Sequence, residues 1–302
     1  MIQAQFSQSQ GDGIPIQLAE WPGRGRTVLG IHGLTANCLC WDGLAQGLAP
    51  KHSLLAMDLR GRGLSGKPRT GYSIEKHCRD ISNVLQSREQ ERITLMGHSL
   101  GAYIALFFAA AHPEWIRSLI LVDGGAILSP EQWARISAGI KPSLDRLGQI
   151  FPSFRAYCEQ IKTAPFFQPW NERLEKYFEY ESERVPGGVR SRLQPETVAE
   201  ERANLLQTDF ASCYPAVRCP VLVLRATQGM LSKDDLVLPE TCLPDLVEAL
   251  PQTRLVHLDS TNHFSILFQE HAERDQAIRD FLRGFFAVKH CKKYKVFQLQ
   301  DL

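Results

Sequence analysis

Short apolar segments rich in Leu, Ile and Val alternate with longer segments of helical spacing along much of this chain. The apolar segments are Thr27 to Ile31, Ser53 to Met57, Ile93 to Met96, Ser118 to Val122, Val221 to Arg225 and Arg254 to Leu258. Helical spacing is clearest over Ile74 to Glu89 and Leu100 to Ala111. Nearly continuous apolar strands joined by helices are typical of parallel sheets, because helices cover both faces of such a sheet. The alternation therefore predicts an α/β fold with a mostly parallel central sheet.

The alternation stops after Gly125 and resumes near Cys219. The segment between them is rich in helix formers and aromatic residues, with its clearest break at Val185-Pro-Gly-Gly188. Aromatic residues at helical spacing usually pack a core. These aromatics therefore either line a pocket or pack only the segment itself. We predict an inserted helical cap, the cap segment, and divide the chain into core residues 1–124, cap segment 125–212, core residues 213–287 and a basic C-terminal tail 288–302 without assigned function.

Charge is balanced, since 34 basic and 33 acidic residues give a formal net charge of +1. This balance would not attract a phosphate backbone or an anionic lipid surface, so nucleic acid and membranes are not predicted as partners. No apolar run could span a bilayer, and the Gln- and Ser-rich start lacks the pattern of a secretory signal. Eight cysteines without a CxxC pair indicate reduced thiols instead of a disulfide framework or zinc site. We expect a cytoplasmic protein with a small-molecule partner, and the oligomeric state stays open.

The sequence Gly97-His-Ser99-Leu-Gly101 follows an apolar strand directly and opens a helical segment. A serine hydroxyl is presented for attack when it lies at a sharp turn between a strand and a helix. Glycines two residues to either side leave room for that turn. The pattern and its context predict that Ser99 is a nucleophile. The alternative is a glycine-rich turn that carries an ordinary solvent-facing serine.

With this motif in place, the chain resembles the α/β-hydrolase superfamily, in particular its members with a helical cap between the sixth and seventh strands. The resemblance covers roughly residues 14–286. It depends on four features in the family's order: His32-Gly33 after a strand, Asp58-Leu-Arg-Gly-Arg-Gly-Leu-Ser65 after the next, the turn at Ser99, and His263 after the last strand. The resemblance implies a serine hydrolase that acts through an acyl-enzyme. It implies no metal and no organic cofactor. The aromatic residues of the cap segment and apolar residues such as Trp41 and Phe264 favour a small apolar ester or lactone as its substrate.

The resemblance also gives roles to individual residues. His263 lies in the loop after the last strand, which places a histidine within reach of the serine as its base. The backbone N–H groups of Leu34, after His32-Gly33, and of Leu100, after the nucleophile, are expected to hold the oxyanion. His32 itself is expected to hold its loop instead of accepting a proton.

The acid that orients the histidine is less directly indicated. The family's usual position after the seventh strand is occupied by Gly229. Some relatives carry the acid at the end of the sixth strand, where this chain has Asp123. Asp234 and Asp235, in the longer loop after the seventh strand, are the alternatives. We expect Asp123 to be the acid, with the two alternatives still open.

Two other functions stay open at this point. Similar capped relatives hydrolyse a carbon–carbon bond in a diketone. Some receptors of the same fold bind a hormone-like small molecule and keep their triad, so a complete set of catalytic residues does not exclude a receptor with slow turnover.

One further motif, Gly61-Arg-Gly63-Leu-Ser-Gly66, matches the dinucleotide fingerprint GxGxxG and follows a strand. The fingerprint has to continue directly into a helix, whose N-terminus holds the pyrophosphate. Here Lys67-Pro68-Arg-Thr-Gly71 intervenes before the helical pattern begins. No nucleotide site is therefore predicted.

Overall fold

The computed structural model describes residues 2–250 and 252–284, so the predicted tail 288–302 lies outside the described residues. The described strands are β1 (Gln5–Gln10), β2 (Pro15–Trp21), β3 (Thr27–Ile31), β4 (Ser53–Met57), β5 (Ile93–His98), β6 (Ile116–Val122), β7 (Ser182–Val185), β8 (Gly188–Ser191), β9 (Val221–Ala226) and β10 (Thr253–Leu258). The described α-helices are α1 (Asp42–Leu48), α2 (Ile74–Ser87), α3 (Leu100–Ala111), α4 (Pro130–Gly139), α5 (Lys141–Leu144), α6 (Phe154–Lys162), α7 (Glu172–Glu181), α8 (Pro195–Gln207), α9 (Leu243–Ala249), α10 (Ser265–Phe268) and α11 (Ala272–Leu282).

Within the described residues, eight strands form one sheet in the order β1-β2-β4-β3-β5-β6-β9-β10, and β7 pairs with β8 alone. β2 is antiparallel to both of its neighbours, whereas β4, β3, β5, β6, β9 and β10 are parallel to one another. The predicted α/β class with a mostly parallel sheet is confirmed. The carboxyl ends of the parallel strands meet at one edge, so the loops that follow β3, β5, β6, β9 and β10 lie close together.

Alternate residues of the central strands pack into two separate apolar clusters. On β6, Leu119 and Leu121 belong to the cluster that includes α2 and α3, whereas Ile120 and Val122 belong to the cluster that includes α1 and α11. Burying each of these side chains stabilises the fold by about 1.5–3 kcal/mol. Because both faces of the sheet are covered, these strands are apolar along their whole length.

The first two strands lack a continuous apolar run, so the sequence pattern does not predict them. β1 has the polar sequence QFSQSQ and pairs along its whole length with β2, from Gln5 opposite Glu20 to Gln10 opposite Pro15. Backbone hydrogen bonds to β2 hold this edge strand, and side-chain periodicity does not reveal such bonds. Polar side chains on an edge strand also oppose association between sheet edges.

The chain between β6 and β9 contains α4 to α8 and the hairpin of β7 and β8. The break at Val185-Pro-Gly-Gly188 lies at the turn of this hairpin, where Gly187 has a φ of 91° that favours glycine. The boundaries 125–212 of the cap segment stay a prediction.

No helix of the described residues is long and apolar enough to cross a lipid bilayer. The described cysteines, which exclude Cys291, are all free thiols.

Candidate active site

Ser99 lies at the sharp turn between β5 and α3. Its backbone has a φ of 55° and a ψ of −122°, a conformation that residues with side chains rarely adopt. A Cβ atom added at Gly97 would lie 2.1 Å from the Gly101 carbonyl oxygen, and one added at Gly101 would lie 2.0 Å from the Ile31 carbonyl oxygen. Both positions therefore require glycine, and the strained turn places Ser99 at the carboxyl edge of the sheet.

Asp123, which follows β6, is hydrogen-bonded to His263, which follows β10. The His263 Nδ1 atom lies 2.7 Å from Asp123 Oδ2, and the residues are 5% and 1% exposed. The other carboxylate oxygen, Oδ1, accepts a hydrogen bond of 3.1 Å from the backbone N–H of Ala226. With Nδ1 donating to the carboxylate, Nε2 of a neutral His263 keeps the lone pair that can accept a proton.

Two neighbours orient the loop that carries His263. The Asn262 side-chain oxygen accepts hydrogen bonds from the backbone N–H groups of Phe264 and Ser265, at 2.9 and 2.8 Å. His98, the residue before Ser99, lies with its Nε2 atom 2.9 Å from the His263 carbonyl oxygen. Burial, with the nearby His263 as a smaller cause, lowers the pKa of His98 well below its ordinary value, so the neutral ring donates this hydrogen bond through Nε2.

The backbone N–H groups of Leu34 and Leu100 lie in the same region. Leu100 is the first residue of α3, where the helix leaves its N–H groups without an internal acceptor. Within the described residues, neither of these two N–H groups has a hydrogen-bond acceptor. Buried N–H groups are rarely left unpaired. The pair is therefore available to a negatively charged oxygen atom bound beside Ser99.

A buried ion pair between Arg62 and Glu201 joins the loop that carries Leu34 to the cap segment. The Arg62 guanidinium donates two hydrogen bonds to the Leu34 carbonyl oxygen, from Nε at 3.1 Å and Nη2 at 3.0 Å. Nη2 also contacts the carboxylate of Glu201, on α8. The Glu201 carboxylate is hydrogen-bonded to His77 as well. The position of Leu34 is therefore linked through Arg62 to a helix of the cap segment.

Asp235, one alternative for the acid, makes a different set of contacts. Its carboxylate accepts hydrogen bonds from the backbone N–H groups of Met230, Leu231 and Ser232, at 2.7, 2.8 and 3.1 Å. It closes its own loop and forms no hydrogen bond or ion pair with His263. The neighbouring Asp234 is exposed. A Cβ atom at Gly229 would lie 1.8 Å from the Ser232 carbonyl oxygen and 2.3 Å from Asp235 Oδ1, so this tight loop requires glycine where the family usually has its acid.

Ser99 and His263 line one cavity of about 90 Å³ between the sheet edge and the cap segment. Most of the cavity wall is apolar and aromatic, with Trp133, Phe167, Tyr177, Phe178 and Phe264 among its residues. Phe166 and Phe167 also pack on Phe264, with ring centroids 4.4 and 4.8 Å apart. Aromatics of the cap segment thus line the cavity as well as packing together.

Within the described residues, Ser99 and His263 are not joined by a hydrogen bond. Hydrogen bonds of this kind are often long in the absence of substrate and tighten when it binds.

Comparison with known proteins identifies the family of this chain. The family model for the alpha/beta hydrolase fold matches residues 26–270 of the chain. The chain is an α/β-hydrolase. The superfamily that the motifs at His32, Asp58, Ser99 and His263 predict is therefore confirmed.

Individual relatives of this α/β-hydrolase are distant. The 2-(acetamidomethylene)succinate hydrolase of Mesorhizobium japonicum is 29% identical over 219 residues, which span 69% of this chain and 73% of the relative. A putative carbamate hydrolase, RutD, of Klebsiella pneumoniae is 28% identical over 246 residues, or 81% of this chain and 86% of the relative. The crystal structure of an E-2-(acetamidomethylene)succinate hydrolase superposes with a TM-score of 0.79 at 24% identity, covering 93% of this chain and 99% of that one.

His32 of this α/β-hydrolase uses both ring nitrogens in hydrogen bonds. Nδ1 lies 2.8 Å from the Gly33 carbonyl oxygen, and Nε2 accepts a hydrogen bond of 3.0 Å from the backbone N–H of Leu59. Burial lowers the pKa of His32 to about 4. The ring is therefore neutral and holds its loop against the segment that follows β4.

We expect a steep loss of stability in mild acid. His32, His77 and His98 are buried with lowered pKa values, mainly because burial disfavours the charged ring. Below about pH 6.5 the unfolded chain binds protons that the folded protein does not, so stability present at neutral pH is lost as the pH falls. Each histidine contributes up to about 1.4 kcal/mol per pH unit, and the three together up to about 4 kcal/mol per unit.

Urea unfolding between about pH 7 and pH 5 measures this slope. His32→Gln removes one of the three groups and should lower the slope by about a third. A free energy of unfolding that stays constant over this range would show that the rings can be protonated in the folded protein.

Sequence reasoning missed the link between Arg62 and Glu201. Arg62 lies inside the motif that begins at Asp58, but Glu201 belongs to a helix more than a hundred residues later, and no local pattern joins the two. A buried position for a glutamate is unusual unless a cation accompanies it. Only the packing of α8 on the core reveals this pair.

Proposed function

We propose that this α/β-hydrolase is a serine hydrolase that cleaves a small carboxylic ester or lactone through an acyl-enzyme. The observation that carries the proposal is the combination of Ser99 in a strained turn with His263 held by Asp123 at 2.7 Å, both opening on one cavity. This combination supplies a nucleophile, a base and a group that orients the base.

The first step transfers the Ser99 proton to His263 Nε2 while Oγ forms a bond to the substrate carbonyl carbon. The carbonyl oxygen becomes negative and binds the N–H groups of Leu34 and Leu100, favoured by the positive end of the α3 dipole. His263 then gives its proton to the leaving alcohol, and the acyl group remains on Ser99. A water molecule repeats the sequence, with His263 again as base, and releases the acid.

The cavity supports a small substrate. A volume of about 90 Å³ holds a short acyl group, and the aromatic wall favours apolar atoms over sugars. The free thiols of the described cysteines support action in a reducing compartment such as the cytoplasm. We also propose residues 125–212 as a cap that provides one wall of the cavity.

A second candidate is hydrolysis of an acyl–nitrogen bond. The names of two relatives, 2-(acetamidomethylene)succinate hydrolase and putative carbamate hydrolase, contain an acetamido and a carbamate group. The same nucleophile and oxyanion hole serve esters, amides and carbamates, which differ in their leaving groups.

The experiment is a panel of p-nitrophenyl esters of increasing acyl length, assayed beside p-nitroacetanilide and a p-nitrophenyl carbamate. The purified protein is also treated with a fluorophosphonate, and its intact mass is measured by mass spectrometry. We expect one phosphonyl adduct and the highest kcat/KM for a short acyl chain. An adduct with turnover of the anilide or the carbamate but not of the esters would favour the second candidate. Turnover of every substrate far below about 1 per second would favour a receptor. Activity on a diketone but on none of these esters would favour carbon–carbon bond hydrolysis.

A further inference from the structure

Two arginines, Arg146 and Arg202, line the otherwise mostly apolar cavity. The charge of Arg146 is already balanced. Its Nη2 donates to Glu181 Oε1 at 2.9 Å, its Nε donates to the Tyr157 hydroxyl at 3.0 Å, and its Nη1 contacts the Ser143 carbonyl oxygen. Arg146 is only 2% exposed and works as part of the internal packing of the cap segment.

Arg202, on α8, has no such partner. Its Nη2 donates to the Ser137 hydroxyl, on α4, at 2.8 Å, and Ser137 lines the same cavity. Across residues 2–250 and 252–284, no carboxylate lies within salt-bridge distance of Arg202, and its Nε and Nη1 have no acceptor. A half-buried guanidinium thus reaches the cavity with two free donor groups and an uncompensated charge.

The two acidic residues next to Arg202 in the chain are committed elsewhere. Glu200 accepts hydrogen bonds from the backbone N–H groups of Gly71 and Tyr72, at 2.8 and 3.0 Å. Glu201 pairs with Arg62 and His77. The two carboxylates that precede Arg202 in the chain are therefore occupied by other partners, and neither is available to neutralise Arg202.

We propose that Arg202 binds a carboxylate carried by the substrate. The preferred substrate is then an anionic acyl compound, such as the half-ester of a short dicarboxylic acid, with its ester group at Ser99 and its free carboxylate at Arg202. A guanidinium donates charge-assisted hydrogen bonds to a carboxylate, and the free N–H groups of Arg202 can supply them. The apolar wall strengthens the pairing because it removes competing water. This inference deepens the proposed function and rests on it.

The test compares mono-p-nitrophenyl glutarate with p-nitrophenyl pentanoate, whose acyl chains are equally long but end in a carboxylate and a methyl group. We expect the wild-type protein to prefer the acidic ester by at least about tenfold in kcat/KM. Arg202→Met should lower kcat/KM for the acidic ester by about 10- to 100-fold, mainly through KM, and change the neutral ester by less than about threefold. Arg202→Gln keeps a donor for Ser137 and should lose the same preference.

Arg155→Met is the matched control, because Arg155 is an exposed arginine of α6 that does not line the cavity. It removes the same charge from the cap segment and should leave the preference for the acidic ester unchanged. If Arg155→Met and Arg202→Met lowered kcat/KM for the acidic ester equally, the effect would come from the general charge of the cap segment. Direct binding of the carboxylate by Arg202 would then be overturned. Hydrolysis of both esters with equal efficiency, unaffected by Arg202→Met, would also overturn it.

Calorimetric binding of glutarate separates this inference from the proposed function. Binding of glutarate that is lost in Arg202→Met, in a protein that hydrolyses neither ester, supports the carboxylate site and counts against the esterase proposal alone. Ester hydrolysis without any Arg202-dependent binding of glutarate counts against the carboxylate site alone.

Discussion

Ser99→Ala is expected to lower kcat for a p-nitrophenyl ester by about 10⁶-fold, the scale of loss when the nucleophile of a Ser–His pair is removed. The same substitution should abolish labelling by a fluorophosphonate. The reason is local, because in the proposed mechanism the hydroxyl at the turn between β5 and α3 is the group from which His263 takes the proton. The fold should persist, since alanine adds no atom to a turn whose close contacts involve Gly97 and Gly101.

Ser137 provides the control for this prediction. Its hydroxyl lines the same cavity but belongs to α4 and accepts a hydrogen bond from Arg202. Ser137→Ala should keep full labelling and near-parental turnover of a neutral ester, measured as adduct mass and initial rate. If Ser99→Ala kept the adduct and Ser137→Ala lost it, the nucleophile would be on the cap segment and the proposed mechanism would be wrong.

Asp123→Asn is expected to lower kcat by about 10⁴-fold, and the variant is expected to stay folded. An asparagine at this position donates its amide N–H to His263 Nδ1, which moves the ring proton to Nε2. A histidine protonated at Nε2 can no longer accept the Ser99 proton, and the carboxylate that stabilises the imidazolium is gone. Steady-state kinetics on a short-chain ester measure the effect.

The comparison is the double variant Asp234→Asn with Asp235→Asn. Asp235 holds three backbone N–H groups of its loop, so this variant should lose stability. Its kcat, corrected for the folded fraction, should stay within a few fold of the parent because neither side chain contacts His263. Urea unfolding of both variants separates the two effects. If the double variant lost most of its kcat while Asp123→Asn stayed active, the acid would lie in the loop after β9. Asp123 would then have only a structural role.

The relation between sequence and site depends on how far apart the interacting residues lie. The turn at Ser99 is local, since a strand, two glycines and a helix within a few residues determine it, and α3 spans the predicted residues Leu100 to Ala111. The pairing of the acid with the histidine is not local in the sequence. Asp123 and His263 are 140 residues apart, and sequence reasoning kept Asp234 and Asp235 as alternatives. The catalytic roles of these residues stay predictions.

The sequence alone determined the fold class and the family, because apolar runs with helices between them allow few arrangements other than a covered parallel sheet. It also predicted Ser99 and His263, whose positions follow from the order of strands. Only the tertiary structure decided which carboxylate meets His263, that Arg62 pairs with Glu201, and that Arg146 is neutralised while Arg202 is not. These pairings depend on how loops and helices from distant parts of the chain pack together, and the spacing of residues in a sequence does not record that packing.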